Sequence, residues 1–362
     1  MDAIDNIVKV FLPSTVAFAL GILLSFPISN FLYRSQMWKK KAGKVAPDGT
    51  ETPIFNKLHE HKEVGTPKLG GSIIWLSTTI TILLVWIFAK IFPIPFLQKI
   101  DFLSRNQTWI PLATLLSGAL VGLIDDLFDI RGTGNHVSGG LSLKHRIGIV
   151  AVISFLSGLW FYTKLDVTSI GIPFIGQVWI GPLIIPLFVI TTVAVYSGGI
   201  IDGLDGLAGG IFAIIFSAYT AIAFNQGQIN LAAFCATLVG AILAFLWFNI
   251  PPARFYMSET GSMALTVTLA TVAFMTDALG DGHGVIVLPI IALPLLVTTL
   301  SVIVQLLSKK LRAGKKVFIV APLHHHFEAV GWPGYKVTMR YWIISVVVAI
   351  IGMIIAFMGR VV

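Results

Sequence analysis

Apolar residues run in ten long stretches along the chain, near 10–33, 71–93, 108–124, 147–164, 178–197, 207–224, 230–249, 262–279, 285–307 and 341–359, with polar segments between them. A helix needs about 20 apolar residues to cross a bilayer, and each stretch is close to that length. The pattern predicts an all-α, polytopic integral membrane protein of about ten transmembrane helices, in one domain over residues 1–362. The least sharp boundary lies between the fifth and sixth helices, where Gly198, Gly199, Gly203, Gly206, Gly209 and Gly210 crowd together. Close helix–helix contact is the ordinary reason for such a cluster. The first stretch is too long for the apolar core of a signal peptide and follows Asp2 and Asp5 rather than basic residues, so it is predicted to be a retained helix.

Composition removes the soluble alternative. With 56% hydrophobic and 12% charged residues and a mean hydropathy of +0.88, the chain lies far from the usage of a soluble domain. The single cysteine, Cys235, falls inside an apolar run, which leaves no disulfide framework and points to packing. The net charge of +8 matters through its distribution. Of the 25 lysines and arginines, only Lys9, Lys90, Lys99, Arg105, Lys164 and Arg360 lie away from the loops that follow the odd-numbered helices. The positive-inside rule therefore predicts both termini outside and five basic loops in the cytoplasm, where they would attract anionic headgroups and anionic substrates.

Chemistry collects in those five loops. Val121–Asp129 brings Asp125, Asp126 and Asp129 directly after an apolar run, and Asp202-Gly203-Leu204-Asp205-Gly206 does the same farther along. One aspartate at a helix end is ordinarily solvated, whereas two acidic clusters on one membrane face suggest a metal and phosphate site. The carboxylates of Asp202 and Asp205 are three residues apart and can face one way on a helical turn. Gly65-Thr66-Pro67-Lys68-Leu69-Gly70-Gly71 places a rigid turn and unhindered amides at the mouth of the second helix, where a phosphate can be met. Lys39, Lys40 and Lys41 read chiefly as a topology signal, while Lys144, His145 and Arg146 close the second loop with a basic cluster. Pro251-Pro252 stops the seventh helix and leaves Tyr256 and Glu259 to face one cleft. His324, His325 and His326 are consecutive and so point in different directions, which favours hydrogen bonding to an anionic substrate over a three-histidine metal centre.

Taken together these segments resemble the polyprenyl-phosphate N-acetylhexosamine-1-phosphate transferase family over nearly the whole chain. The carriers are Gly65-Thr66-Pro67 with Gly70-Gly71, Asp125-Asp126, Asp202 to Ala208, Asn249 with Pro251-Pro252-Ala253, Gly261-Ser262, and Ala321 to Glu328. The triple histidine followed by Gly331-Trp332-Pro333 points to the muramoyl-pentapeptide branch. The resemblance implies a Mg²⁺-dependent enzyme of ten membrane helices that moves phospho-N-acetylmuramoyl-pentapeptide from UDP-N-acetylmuramoyl-pentapeptide to undecaprenyl phosphate, releasing UMP. It also implies a bacterial plasma-membrane location. The bilayer is an expected partner, a homodimer is a candidate assembly, and no nucleic-acid partner is expected. Departures from the family's pattern are also plain. Gly199 stands where the family has asparagine, Tyr256-Met257-Ser258-Glu259 replaces Phe-Met-Gly-Asp, and Asp129 occupies a lysine position. Lys68 replaces the second threonine of Gly-Thr-Pro-Thr, and the element His59 to Lys62 stands one residue farther from Gly65 than usual.

Within that resemblance each residue receives a role. Glu259 and Asp202 are the expected Mg²⁺ ligands, glutamate reaching one methylene farther than the usual aspartate. Asp125, Asp126 and Asp202 form the expected catalytic set, the first two beside the lipid phosphate. Asn249, Tyr256, Gly203, Leu204 and Asp205 are assigned to uridine, with Tyr256 stacking on the base. His324, His325, His326, Lys144 and Lys62 are left for the pyrophosphate and sugar. Two other readings stay open. One is a related transferase with a different UDP-N-acetylhexosamine. The other is a transporter, which would place charges at mid-membrane, and Asp277 is the main acidic candidate near a helix core.

Overall fold

The computed structural model describes residues 3–40, 64–132 and 140–358. Helices α1 (Ala3–Arg34), α2 (Ser72–Ile91), the short α3 (Pro95–Ile100), α4 (Trp109–Arg131) and α5 (Leu143–Lys164) lead to a hairpin of β1 (Ser169–Ile172) and β2 (Gly176–Trp179). Helices α6 (Ile184–Ser197), α7 (Leu207–Asn225), α8 (Ile229–Asn249) and α9 (Ser258–Met275) follow. The chain closes with α10 (Gly284–Ile291), α11 (Leu293–Leu311), the short α12 (Leu323–Ala329) and α13 (Gly334–Met358). The protein is thus an all-α, multi-pass membrane protein.

Burial sorts these helices into an inner and an outer set. The apolar windows of α7 and α8 are 78% and 72% buried, against 22% for α1 and 28% for α13, so α7 and α8 belong to the centre while helices such as α1 and α13 turn a face to lipid. Among the described residues nine helices are long and apolar enough to cross a membrane. The expected crossing at 262–279 is α9, and it differs from the rest. It is 18 residues long, and every residue of it except Glu259 is buried. Four threonines and Glu259 lower its hydropathy. An inner helix tolerates this because the hydroxyls of Thr266, Thr268 and Thr271 donate to carbonyls four residues back.

Two further boundaries depart from the hydropathy pattern. The stretch 285–307 is split at Ala292 into α10 and α11, since Pro294 has no N–H for a continuous helix and instead starts a new one. The stretch 178–197 begins in β2, with register Ser169 opposite Trp179, and becomes helical only after a 3-10 turn at Gly181–Leu183. The four-residue strands are too short for hydropathy to separate from the helix that follows. Helix α4 packs along α9, α1 along α8, and α13 along α7. The α4–α9 contact sets the site.

Candidate active site

The apolar run ending at residue 124 does not end the helix. Leu127, Phe128 and Ile130 continue the helical pattern, and the stop is Gly132 in the left-handed region at φ 64°. Asp125 and Asp126 therefore lie inside α4 and not in a loop, and both are buried, at 4% and 0% exposure. The solvated-terminus reading of these aspartates is overturned. Gly118, Gly122 and Asp126 share one face of α4, spaced four apart. A Cβ at Gly118 would lie 2.8 Å from the Met263 carbonyl, and one at Gly122 would overlap the Glu259 carbonyl. The missing side chains let α4 meet the first turn of α9 at backbone distance, which delivers Asp126 to it.

That first turn needs outside partners. Its N-cap, Met257, has no side-chain oxygen, so the leading N–H groups of α9 must be satisfied from elsewhere. Ser258 donates its N–H to Asp202 Oδ2 at 2.9 Å, and Thr260 donates both N–H and hydroxyl to Asp126 Oδ2 at 2.9 and 2.7 Å. Two carboxylates from two other elements thus cap one helix, at the end where its dipole favours negative charge. Ser258 itself holds φ 56°, a conformation that suits glycine, and glycine is what the family pattern carries there.

Two cations complete the cluster. Arg146 donates to Glu259 Oε1 at 2.6 Å and reaches Asp125 Oδ2 at 3.7 Å, while the Leu141 N–H donates to Asp125 Oδ1 at 2.7 Å. Lys68 pairs with Asp129 and lies 3.4 Å from Asp126 Oδ1, and Lys39 approaches Asp129 at 3.8 Å. Burial alone would lower the Lys68 pKa, but the carboxylates of Asp126 and Asp129 outweigh it and hold the ammonium above the ordinary lysine value.

The segment 253–258 ties the remaining motifs together. Gly70 and Gly71 donate their N–H groups to the carbonyls of Tyr256 and Met257, and Tyr256 donates to Pro67. These amides are spent within the protein, which corrects the expectation that they meet a phosphate. Ala253 donates to Asp205 Oδ2 at 3.3 Å, so Asp202 and Asp205 both face this segment, as their spacing predicts. Asn249 is 3% exposed and both ends of its amide are engaged: Oδ1 accepts from the Gly206 N–H and Nδ2 donates to the Phe255 carbonyl. It fastens the two loops to each other. An open cavity of about 290 Å³ lies beside them, lined by Thr66, Asp205, Pro251, Pro252, Ala253 and Tyr256. Glu259 is not in that lining; it points to Arg146.

The histidines reach the site through Gly203. A Cβ at Gly203 would overlap His324 Nε2 and lie 2.8 Å from His325 Nε2, so both rings pack on the backbone of the Asp202–Asp205 turn. His325 shares a hydrogen bond with Glu328 at 2.8 Å, whereas His326 accepts from the Ile319 N–H and lies edge-on to Phe318. Thr338 and Trp342 of α13 donate to the carbonyls of Asp205 and Gly206 and brace the turn from behind. Leu204 is buried, at 9% exposure. At Gly199 a Cβ would lie 2.5 Å from Ser262 Oγ, so a larger residue there requires the Ser262 hydroxyl to move.

Sequence reasoning placed Asp125, Asp126, Asp202, Asp205 and Glu259 among the site residues, and the fold brings all five to the segment 253–260 or its cations. It passed over Lys68 and Arg146 as individual residues. Their signal was the requirement that buried carboxylates have buried counter-charges. Lys144, placed in the site by sequence, is exposed in the first turn of α5, and Arg146 two residues on is the one that turns inward. Lys62 lies outside the described residues. No group of three or more acidic, histidine or cysteine side chains arranged to hold a metal occurs among the described residues.

Comparison with known proteins finds relatives along nearly the whole chain. The profile of Glycosyl transferase family 4 matches residues 108–277, the span from α4 to Asp277. The chain is 30% identical to the phospho-N-acetylmuramoyl-pentapeptide-transferase of Chloroflexus aggregans, an alignment that covers 98% of this chain and 91% of the relative. It is 35% identical to the protein of the same name from Geobacillus sp. (strain WCH70), over 92% of this chain and 96% of the relative. Against that of Dichelobacter nodosus it is 33% identical, over 95% and 92% respectively. With full-length similarity of this kind, and with the acidic, glycine and histidine motifs gathered at one end of the bundle, the chain belongs to the phospho-N-acetylmuramoyl-pentapeptide-transferase family.

Proposed function

We propose that this protein transfers phospho-N-acetylmuramoyl-pentapeptide from its UDP donor to undecaprenyl phosphate on the cytoplasmic face of the bacterial plasma membrane, giving lipid I and UMP. The observation that carries this reading is the junction of three carboxylate-bearing elements and two half-buried cations at the first turn of α9. In the reaction an oxygen of the lipid phosphate attacks the β-phosphorus of the donor. The bond from that phosphorus to the oxygen of the UMP phosphate breaks, and UMP leaves with the electron pair. The site must neutralise several negative charges around one centre, which buried cations and amide donors do in a water-poor environment.

The residues divide accordingly. Arg146 and Lys68, already paired with carboxylates, supply positive charge that incoming phosphates can share. Asp125 and Asp126 position the lipid phosphate, which is largely deprotonated near neutral pH and needs little base help. Tyr256 and Asp205 line the cavity assigned to uridine, and Asn249 acts on it indirectly by fixing Gly206 and Phe255. Gly203 presents its backbone to His324 and His325, which, with His326, Lys144 and Lys62, are assigned to pyrophosphate and sugar. Asp202, held on the Ser258 N–H, and Glu259, held on Arg146, both offer hard carboxylate oxygens of the kind that Mg²⁺ takes. When bound, the ion would supply charge neutralisation at the pyrophosphate. Glu259 would have to exchange Arg146 for it. A second copy of the chain is a candidate partner through the exposed apolar faces of the outer helices.

The test is UMP release from UDP-N-acetylmuramoyl-pentapeptide by the purified protein, with and without undecaprenyl phosphate. Acceptor-dependent release is expected. Release of equal rate from a UDP-N-acetylglucosamine donor would move the assignment to the related transferase.

A further inference from the structure

Lys68 and Asp129 are both departures from the family's pattern, and the structure puts them in contact. The pattern has a threonine at 68 and a lysine at 129, whereas here the lysine stands at 68 and an aspartate at 129. Asp126 and Asp129 are three residues apart on α4 and present their carboxylates side by side, which allows one ammonium to serve both. That ammonium comes from Lys68, across the interface. Its backbone is held: the Lys68 N–H donates to the Met37 carbonyl at 2.7 Å, and the turn around it is hydrogen-bonded to residues 256 and 257. The side chains are 20% exposed for Lys68, 0% for Asp126 and 8% for Asp129, so this is a buried arrangement in which removing one partner strands the other. Arg146 does not substitute, since its ion pairs go to Asp125 and Glu259. Lys39 approaches only the far oxygen of Asp129.

We propose that Lys68 is a relocated cation, in which the ammonium that the family carries on the helix at 129 is delivered to Asp126 from the facing turn, with Asp129 as its anchor. Lys68 is then a positioning residue of the transferase site, acting through Asp126. The proposal rests on the transferase reading above for its effect on turnover, but not for the pairing itself. It also accounts for how two departures that each look damaging coexist in one chain. Either alone would leave the wrong charge beside Asp126, and together they keep one cation there.

The experiment compares the full-length wild type with Lys68→Thr, Asp129→Lys and the double variant, which restores the family's arrangement. UMP release and the thermal midpoint in detergent are measured for all four, with kcat and KM for the donor determined separately. Each single variant is expected to lose at least about 30-fold in kcat, with KM for the donor changed less than about threefold, and the double variant to return within about tenfold of wild type. A double variant that falls by the product of the two single losses would overturn the proposal, as would singles whose kcat per folded molecule equals wild type. Lys68→Arg, which keeps the charge, is expected to retain more turnover than Lys68→Thr, and the reverse order counts against a role for the ammonium. If the wild type releases no UMP from this donor, the transferase reading fails and the pair is judged by melting alone. Single variants about 5 °C below wild type with a double variant restored would keep the pairing, and additive midpoints would remove it.

Discussion

Helix α9 has a buried acidic group at each end, and the two are satisfied by different chemistry. At the Ser258 end, Asp126 and Asp202 accept from its leading N–H groups, while the side-chain cations Lys68 and Arg146 pair with Asp126 and with Glu259 and Asp125 respectively. At the Met275 end, Asp277 is 2% exposed and accepts from the Gly171 and Val285 N–H groups at 2.6 and 3.0 Å. No ion pair to Asp277 occurs among the described residues. Backbone donors cannot leave, so Asp277 is a fixed pin that joins the β-hairpin to the turn after α9. Side-chain cations can exchange one anion for another, which is what the proposed transfer of a phosphate requires of the opposite end. The lesson is that a buried carboxylate indicates chemistry by the kind of partner it has, and burial alone does not distinguish the two.

This contrast predicts that substitutions at the two ends fail in different ways. The largest effect belongs to Asp202→Asn. The amide oxygen can still accept from the Ser258 N–H, so the variant should fold, yet losing a charge at the reacting centre should lower kcat by about 10² to 10³-fold. Purified Asp202→Asn turning over at the wild-type rate would remove Asp202 from the catalytic set. A smaller effect is expected at Glu259. Glu259→Ala should raise the Mg²⁺ concentration needed for half-maximal turnover and lower the maximum, by about tenfold or more, while Glu259→Asp retains part of the activity. An unchanged magnesium titration in Glu259→Ala would show that the metal does not rest on this residue. The smallest effect on turnover belongs to Asp277→Asn. The amide nitrogen faces one of the two N–H donors without an acceptor, which should destabilise the fold by about 1–3 kcal/mol. Its thermal midpoint should drop while kcat per folded molecule stays within about twofold of wild type. A large loss of kcat with an unaltered midpoint would erase the distinction between the two ends.

Much of this architecture was legible in the chain. Apolar length placed the helices, and the acidic, glycine and histidine motifs named most of the residues that the fold gathers. The misreadings share a cause. Hydropathy ends a helix where charges begin, yet α4 runs seven residues past Ile124 because the fold supplies Thr260, Lys68 and Arg146 as partners for its aspartates. The free amides expected at Gly70 and Gly71 and the free amide expected at Asn249 were assigned to substrate by residue type. Instead they hold residues 253–258 in place. The hairpin at 169–179 escaped notice because four-residue strands carry too little periodicity.

The organising element also proved to be a different one from the acidic run that stands out in the sequence. Local pattern determines which segments enter the membrane and which side chains are chemically able to serve, since both depend on residue type and spacing along one strand of chain. Which carboxylate meets which cation depends on contacts such as Lys68 with Asp126, 58 positions apart, and Arg146 with Glu259, 113 apart, and those are set by how closely helices can approach. Gly118 and Gly122 decide that approach for α4 and α9 by having no side chain to prevent it. The chain alone therefore specified a membrane enzyme with an acidic, phosphate-directed chemistry. Only the packed helices made the first turn of α9, with its borrowed caps and its two half-buried cations, the centre of the site.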